Sequence, residues 1–355
     1  MYVIKARNAQ QALPEVLRQL KIHGRERDSR NGKVLMFPGP CVVQVARPTE
    51  RVVFWPQRDA NPFFHLLEAL WMLAGRNDVE YPASIVPTMA RFSDDGLTFN
   101  GAYGHRWRKW FGRDQLLSIG QALKENPDDR RQVMSMWDGH HDPKMAESGS
   151  KDVPCNTHVY FSRDSSGALD MTVCNRSNDL VWGALGANTV HFSVMQEFIA
   201  GVIGCRVGTY TQFSNNMHLY TELHGKLIEE LIEYTEIQMF DRTPSGSTKA
   251  AYNDPYHVGT AQPTPLINGD PMVFLREVEM MLSEGKVIGI QDKFLRRVAI
   301  PIQNAIYMYK GHDAPNKFDQ ARRCLSDIEE TNDWRIAGEQ WIDRRENNWR
   351  NKNGQ

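Results

Sequence analysis

Residues 62–74 read PFFHLLEALWMLA, an apolar stretch of helical length that opens on a proline near the first turn and presents almost no polar face. A helix of this kind is buried in a core, so the fold must be built around it. Glu68 sits in its middle, flanked by Leu66, Leu67, Ala69, Leu70 and Trp71. Helical periodicity offers this carboxylate no obvious exposed side. A buried carboxylate takes a partner or a proton, which fits a paired core residue or a general acid–base group.

Residues 189–203 (TVHFSVMQEFIAGVI) form a second apolar helix, followed by a strand from Cys205 to about Phe213. Residues 8–22 and 220–238 read as amphipathic helices. Residues 131–137, 157–163 and 168–174 are short runs rich in Val, Met and aromatics, and the third alternates, with Leu169, Met171 and Val173 opposite Asp170 and Thr172. Ser165-Ser166-Gly167 makes the hairpin turn between the last two. A strand at Leu35–Phe37 stops at Pro38-Gly39-Pro40, and Arg25 to Asn31 reads as a charged loop ending in the Asn31-Gly32 turn signal. Residues 244–270, rich in Pro, Gly, Ser and Thr, read as loop, and about 317–355 as highly charged helix. These elements predict an α+β protein with one main mixed sheet packed with helices and a helical C-terminal extension.

The formal net charge of -1, from 42 Lys+Arg against 43 Asp+Glu, argues against nucleic acid as the main ligand. It leaves room for a few arginines gathered around one small anion. No apolar run approaches the roughly 20 residues needed to span a bilayer, and the first residues lack the apolar core of a signal peptide. Cys41, Cys155, Cys174, Cys205 and Cys324 are scattered with no C-x-x-C pair, which favours reduced thiols in a cytoplasm over a disulfide framework or a metal site. Neither a Gly-rich dinucleotide fingerprint nor a P-loop is present, so a dehydrogenase or kinase is unsupported.

Cys155 opens a strand after a polar loop, where a thiol reads either as buried and inert or as a nucleophile eased by nearby cations. Arg176 and Ser177 follow the next strand and make a good phosphate pair or an ordinary solvated turn. Arg130 and Arg131, in Asp128-Asp129-Arg130-Arg131, carry the same two readings. His218 and Tyr220 fall on one face of a strand, two donors suited to a sugar hydroxyl or a satisfied core pair. Asn188 precedes a helix, so it caps that helix or reads a base edge.

Individually weak, these signals are specific in their order. Cys155, Arg176-Ser177-x-Asp179, Gly183, Asn188 and His218-x-Tyr220 resemble the thymidylate synthase family core, as do Glu68 in LLEALWML, Tyr103 in GAYGHRWRKW and the arginine pair in DDRRQVMSMW. The resemblance covers about residues 25–285 and implies a thymidylate synthase-like catalytic domain over 1–285, with residues 286–355 as the helical extension. It implies that Cys155 attacks C6 of a pyrimidine nucleotide such as dUMP, and that C5 then captures a one-carbon unit from 5,10-methylenetetrahydrofolate, with no metal. Glu68 and Tyr103 would manage proton transfers. Arg176, Ser177 and Arg30 would hold the 5′-phosphate, with Arg130 and Arg131 reaching in from the second subunit of a homodimer with shared sites. Asp179 would support the folate or the base, Asn188 the base, and His218 and Tyr220 the 3′-hydroxyl. The implied location is cytoplasmic, in the host cell for a phage protein.

The chain departs from the family pattern in ways that bear on the product. Asn156 follows the nucleophile where the family usually has His, and the stretch from Gly183 to Asn188 is one residue longer than the usual loop. The cytosine-using relatives carry Asp in place of Asn188, so dUMP is favoured over dCMP. The tryptophan that stacks on folate is replaced near Met89, Phe92 keeps a neighbouring aromatic, and the tail that seals the family's site is not recognisable. Arg176-Ser177-Asn178-Asp179 also looks like the bacteriophage hydroxymethylases. A less tightly held folate admits water to the exocyclic methylene, so hydroxymethylation is favoured over methylation. The alternatives are a thymidylate synthase making dTMP and dihydrofolate, and a catalytically silent nucleotide- or RNA-binding relative.

Overall fold

The computed structural model describes residues 1–239, 254–284 and 287–354. The apolar stretch at its centre is a helix, Pro62–Leu73, started by Asn61, whose side chain accepts from Phe64 N at 3.1 Å. It packs on the second apolar helix, Asn188–Ile203, which in turn lies against the main sheet.

Among the described residues ten strands form two sheets. They are β1 (Tyr2–Ala6), β2 (Arg25–Ser29), β3 (Gly32–Met36), β4 (Cys41–Val45), β5 (Val133–Ser135), β6 (Asn156–Arg163), β7 (Leu169–Asn175), β8 (Asn178–Asp179), β9 (Val207–Ser214) and β10 (Met217–Tyr220). The main sheet runs β1-β4-β9-β7-β6-β5 and is mixed, as the residue pattern predicts. One cross-strand row, Ile4–Val43–Gln212–Val173–Val159–Met134, is buried beneath the helices. The rows on either side, Val3–Val42–Phe213–Cys174–His158–Ser135 and Lys5–Gln44–Thr211–Thr172–Tyr160–Val133, point away from the core and are exposed or half-buried. Alternation across six strands thus leaves one sheet face without a covering layer among the described residues.

A second sheet, β2-β3-β10-β8, corrects one expectation. The charged segment from Arg25 is a strand up to Ser29, and only Arg30 and Asn31 form the turn. All five residues of β2 are exposed, so no alternation marked it; backbone pairing with β3 alone makes it a strand. The small sheet carries His218 and Asp179 side by side, in register across β10 and β8.

The helices Ile300–Gly311 and Asp333–Lys352 close over the Pro62–Leu73 helix, with the Phe63 and Trp341 rings edge to face at 5.5 Å. Ile302, Ala305 and Ile306 of the first and Trp334, Ala337, Trp341 and Ile342 of the second belong to the same hydrophobic core as the sheet. The expected boundary at 285–286, and residues 244–253 of the expected loop, lie outside the described residues; 254–270 is irregular. Among the described residues no helix is long and apolar enough to cross a membrane.

Candidate active site

A cavity of about 720 Å³ opens where the central helices meet the segment leading into β6. Four of the candidate catalytic and nucleotide-binding residues line it, Cys155, Tyr103, Glu68 and Asn188, together with Met89 and Phe92. Tyr103 is held close to the central helix by its neighbour Gly104, where a Cβ would fall 1.9 Å from Met72 O. No side chain fits at that approach, so the glycine sets the distance between the tyrosine turn and the helix that carries Glu68.

Cys155 directly precedes β6, and its carbonyl accepts from Arg176 N at 2.9 Å. Burial pushes its thiol above the ordinary range; Arg176 and Arg30 ease ionisation, while Asp152 and Asp179 oppose it. Burial raises the Tyr103 hydroxyl as well, and the Cys155 charge adds to this, although the Asn156 amide donates to its oxygen. Tyr103 is therefore a neutral proton donor beside the thiol. Asp152, whose side chain accepts from Gly101 N at 2.8 Å, is pushed up to about 6 by burial. His191 Nε2 approaches Glu68 Oε2 at 2.9 Å, a close contact that lacks the alignment of a hydrogen bond.

Asn188 does not cap its helix. The residues before it, Leu180–Ala187, are wound as a π-helix with a break at Leu185 and Gly186, and Asn188 continues in right-handed helical geometry. The wide turns and the break carry the chain into the helix, so Asn188 lies within it rather than ahead of it. The freed amide donates instead to Asn178 Oδ1 at 3.1 Å.

The arginines divide into two groups. Arg176 donates to Pro154 O and Val153 O, both at 2.9 Å, and Arg30 donates to Ser150 O at 3.1 Å, so both flank the Cys155 segment. Ser177, half-buried, lies in the turn between β7 and β8. Arg130 and Arg131 are exposed, do not line the cavity of their own chain, and Arg131 pairs with Asp129 at 2.8 Å. His218 and Tyr220 share one face of β10 with ring centroids 5.3 Å apart. Asp179 Oδ1 accepts from Trp182 N at 2.5 Å, while Oδ2 is buried without a partner among the described residues. Such an oxygen calls for a donor from elsewhere. Neither Asp179 nor the His218–Tyr220 pair lines the cavity directly, but Trp182, which does, packs against His224 and Tyr220.

Sequence reasoning missed Arg58, His65, His191, Asp152 and Trp182, all of which line the cavity. His65 and His191 were legible by the signal that exposed Glu68, a titratable residue within an apolar helical run. Burial, with Arg58 and His191 adding to it, holds His65 well below the ordinary histidine range. Arg58, whose Nε donates to Val181 O at 2.9 Å, is lowered to about 10 by burial against the pull of Asp179 and Asp59. Trp182, Phe92, Met89 and Val86 give the cavity an aromatic and apolar part suited to a flat ring system, close to the polar groups around Cys155. Among the described residues no cluster of His, Cys, Asp and Glu is arranged to hold a metal ion.

Comparison with known proteins bears on this geometry. The family model for thymidylate synthase matches residues 16–244. The deoxyuridylate hydroxymethyltransferase of Pseudomonas phage M6 is 51% identical over 345 residues, 97% of this chain and 95% of that protein. The deoxyuridylate hydroxymethyltransferase of Bacillus phage SP01 is 37% identical over 212 residues, 57% of this chain and 55% of that protein. The thymidylate synthase of Symbiobacterium thermophilum is 32% identical over 181 residues, 45% of this chain and 60% of that protein.

Proposed function

The chain belongs to the thymidylate synthase family, and we propose that it is a transferase that adds a one-carbon unit to C5 of dUMP, yielding 5-hydroxymethyl-dUMP. The observation that carries this is one cavity lined by a thiol, a neutral tyrosine, a buried carboxylate and an amide, in a chain 51% identical over nearly its whole length to a deoxyuridylate hydroxymethyltransferase.

Cys155 Sγ, as thiolate, adds to C6 of the pyrimidine, which leaves carbanion character at C5 and charge on O4. Asn188 is placed to meet the base edge, and Tyr103 and Glu68 to hand protons to and from the ring. Arg176, Arg30 and Ser177 gather around the 5′-phosphate, while His218 and Tyr220 hold the 3′-hydroxyl. 5,10-Methylenetetrahydrofolate supplies the one-carbon unit, and Trp182, Phe92 and Met89, with the unsatisfied Asp179 oxygen nearby, suit its ring. After the C5 proton leaves and tetrahydrofolate departs, water adds to the exocyclic methylene and Cys155 is expelled from C6. Phe92 and Trp182 are 52% and 48% exposed, so the cavity is open enough for that water.

A second copy of the chain completes the picture. The outer rows of the main sheet, including Val3, Val42, Phe213 and Tyr160, form a face suited to a two-fold contact. Such a homodimer lets Arg130 and Arg131, unused in their own cavity, reach the partner's phosphate site. The cytoplasm, of a host cell for a phage protein, suits reduced thiols and soluble co-substrates.

Mass spectrometry of the nucleotide formed from dUMP and methylenetetrahydrofolate tests the product. The hydroxymethyl nucleotide with tetrahydrofolate is expected; dTMP with stoichiometric dihydrofolate makes the chain a thymidylate synthase instead. No exchange of the C5 hydrogen of dUMP, with folate present, leaves a silent nucleotide binder.

A further inference from the structure

Asn188 takes its orientation from a series of amides that begins at a backbone carbonyl. Gln212 Nε2 donates to Ala184 O at 3.0 Å, and a carbonyl can only accept, so Gln212 must turn Oε1 the other way. That oxygen accepts from Asn178 Nδ2 at 2.6 Å, and the same nitrogen donates to Ser214 Oγ at 3.1 Å. With both N–H bonds of Asn178 used, its Oδ1 is left to accept from Asn188 Nδ2 at 3.1 Å. Asn178, Gln212 and Ser214 are all at most 2% exposed, so water does not scramble the series. Gly183 makes room for the last link: a Cβ there would lie 2.8 Å from Asn178 Oδ1 and 3.3 Å from Asn188 Nδ2.

We propose that Asn178 and Gln212 are positioning residues that make the cavity select uracil over cytosine by fixing which way the Asn188 amide faces. The inference rests on the reading above in which Asn188 meets the pyrimidine edge. With one N–H committed to Asn178, Asn188 keeps its Oδ1 and a second N–H for the ligand. Uracil offers a donor at N3 and an acceptor at O4, which match that pair; cytosine offers an acceptor at N3 and a donor at N4, the reverse. To serve cytosine the Asn188 amide must turn over, which sets its Oδ1 against Asn178 Oδ1. Asn178 cannot turn in response without meeting Gln212 Oε1 with an oxygen, and Gln212 cannot turn without facing Ala184 O. A buried acceptor left without a donor disfavours cytosine by about tenfold to a hundredfold.

The test compares dUMP and dCMP binding to the full chain by calorimetry, in the wild type and in Asn178→Ala, Gln212→Leu and Gln212→Glu. The wild type is expected to prefer dUMP by at least about tenfold, and Asn178→Ala and Gln212→Leu to narrow that ratio by about tenfold, because Asn188 is then free to turn. Gln212→Glu, whose protonated carboxyl can still donate to Ala184 O and accept from Asn178, should keep the preference. Folded variants that lose affinity for both nucleotides equally, with the ratio unchanged, overturn the proposal and leave the function standing. A wild type that binds dUMP without preference over dCMP also overturns it. A wild type that binds no dUMP and does not exchange its C5 hydrogen removes both.

Discussion

His191 Nε2 lies 2.9 Å from Glu68 Oε2, with the two side chains only 3% and 8% exposed, inside the cavity that also holds Cys155. The two residues come from the two apolar helices that pack on each other, so the core and the site share their main contact. A buried carboxylate placed in this way, in the same cavity as the Cys155 thiol, suits the exchange of a proton with a bound ring.

Replacing the carboxylate tests this directly. Glu68→Gln keeps the shape of the side chain and removes its capacity to take a proton, so release of the C5 hydrogen of dUMP should fall by about 10²- to 10⁴-fold. Binding of dUMP, measured separately, should change much less. An unchanged rate of hydrogen release would take Glu68 out of the chemistry.

The Cys155 thiol is raised by burial and by the nearby Asp152 and Asp179 charges, and lowered by Arg176 and Arg30. Its alkylation by iodoacetamide should therefore climb with pH towards a midpoint above that of an ordinary thiol. Asp152→Asn removes a negative charge that forms as pH rises through about 6, so the midpoint should move down. Arg176→Ala removes a positive charge and should move it up. Shifts in the opposite directions contradict the placement of these charges around the thiol.

Trp182 lines the cavity with its indole edge to face against His224, ring centroids 4.9 Å apart. If this surface receives the folate ring, Trp182→Ala should raise the KM for methylenetetrahydrofolate by about 2- to 10-fold, the value of one aromatic contact, and leave dUMP affinity nearly constant. Steady-state kinetics with each substrate varied in turn separates the two. A rise confined to the dUMP KM would move Trp182 to the nucleotide side.

The helix Asp333–Lys352 meets the central helix through Trp341, which is 6% exposed and also lies under the Arg345 guanidinium at 4.3 Å. Trp341→Ala should cost about 3–5 kcal/mol in chemical denaturation, in one cooperative transition with the rest of the chain. Two separate transitions, with the first alone sensitive to the change, would make residues 286–355 an independent unit.

Val133 and Tyr160 face each other across β5 and β6 on the uncovered side of the sheet, 43% and 45% exposed. If two chains pair through this face, the double change Val133→Lys with Tyr160→Lys places like charges on the contact and should convert the dimer to monomers in sedimentation. If Arg130 and Arg131 serve the neighbouring site, turnover should fall with it. A fully active wild-type monomer would refute shared sites.

The sequence by itself determined the elements that announce themselves by periodicity or composition. The helices Pro62–Leu73 and Asn188–Ile203, the alternation of Leu169, Met171 and Val173, and the anomalous burial of Glu68 all follow from local pattern, because burying apolar surface dominates the fold. The order of Cys155, Arg176, Asp179, Asn188 and His218 carried the resemblance to the family. Tertiary structure alone decided which polar groups meet. The Arg25–Ser29 strand has no buried face, and exists because β3 pairs with it. Asn188 looked like a helix cap, yet the π-turn before it hands its amide to Asn178 and, through that residue, to Gln212. His191 finds Glu68 only when two helices far apart in the chain are packed together. Hydrogen bonds are short-ranged and directional, so their partners are chosen after the hydrophobic core has set the geometry, and no one-dimensional pattern encodes that choice.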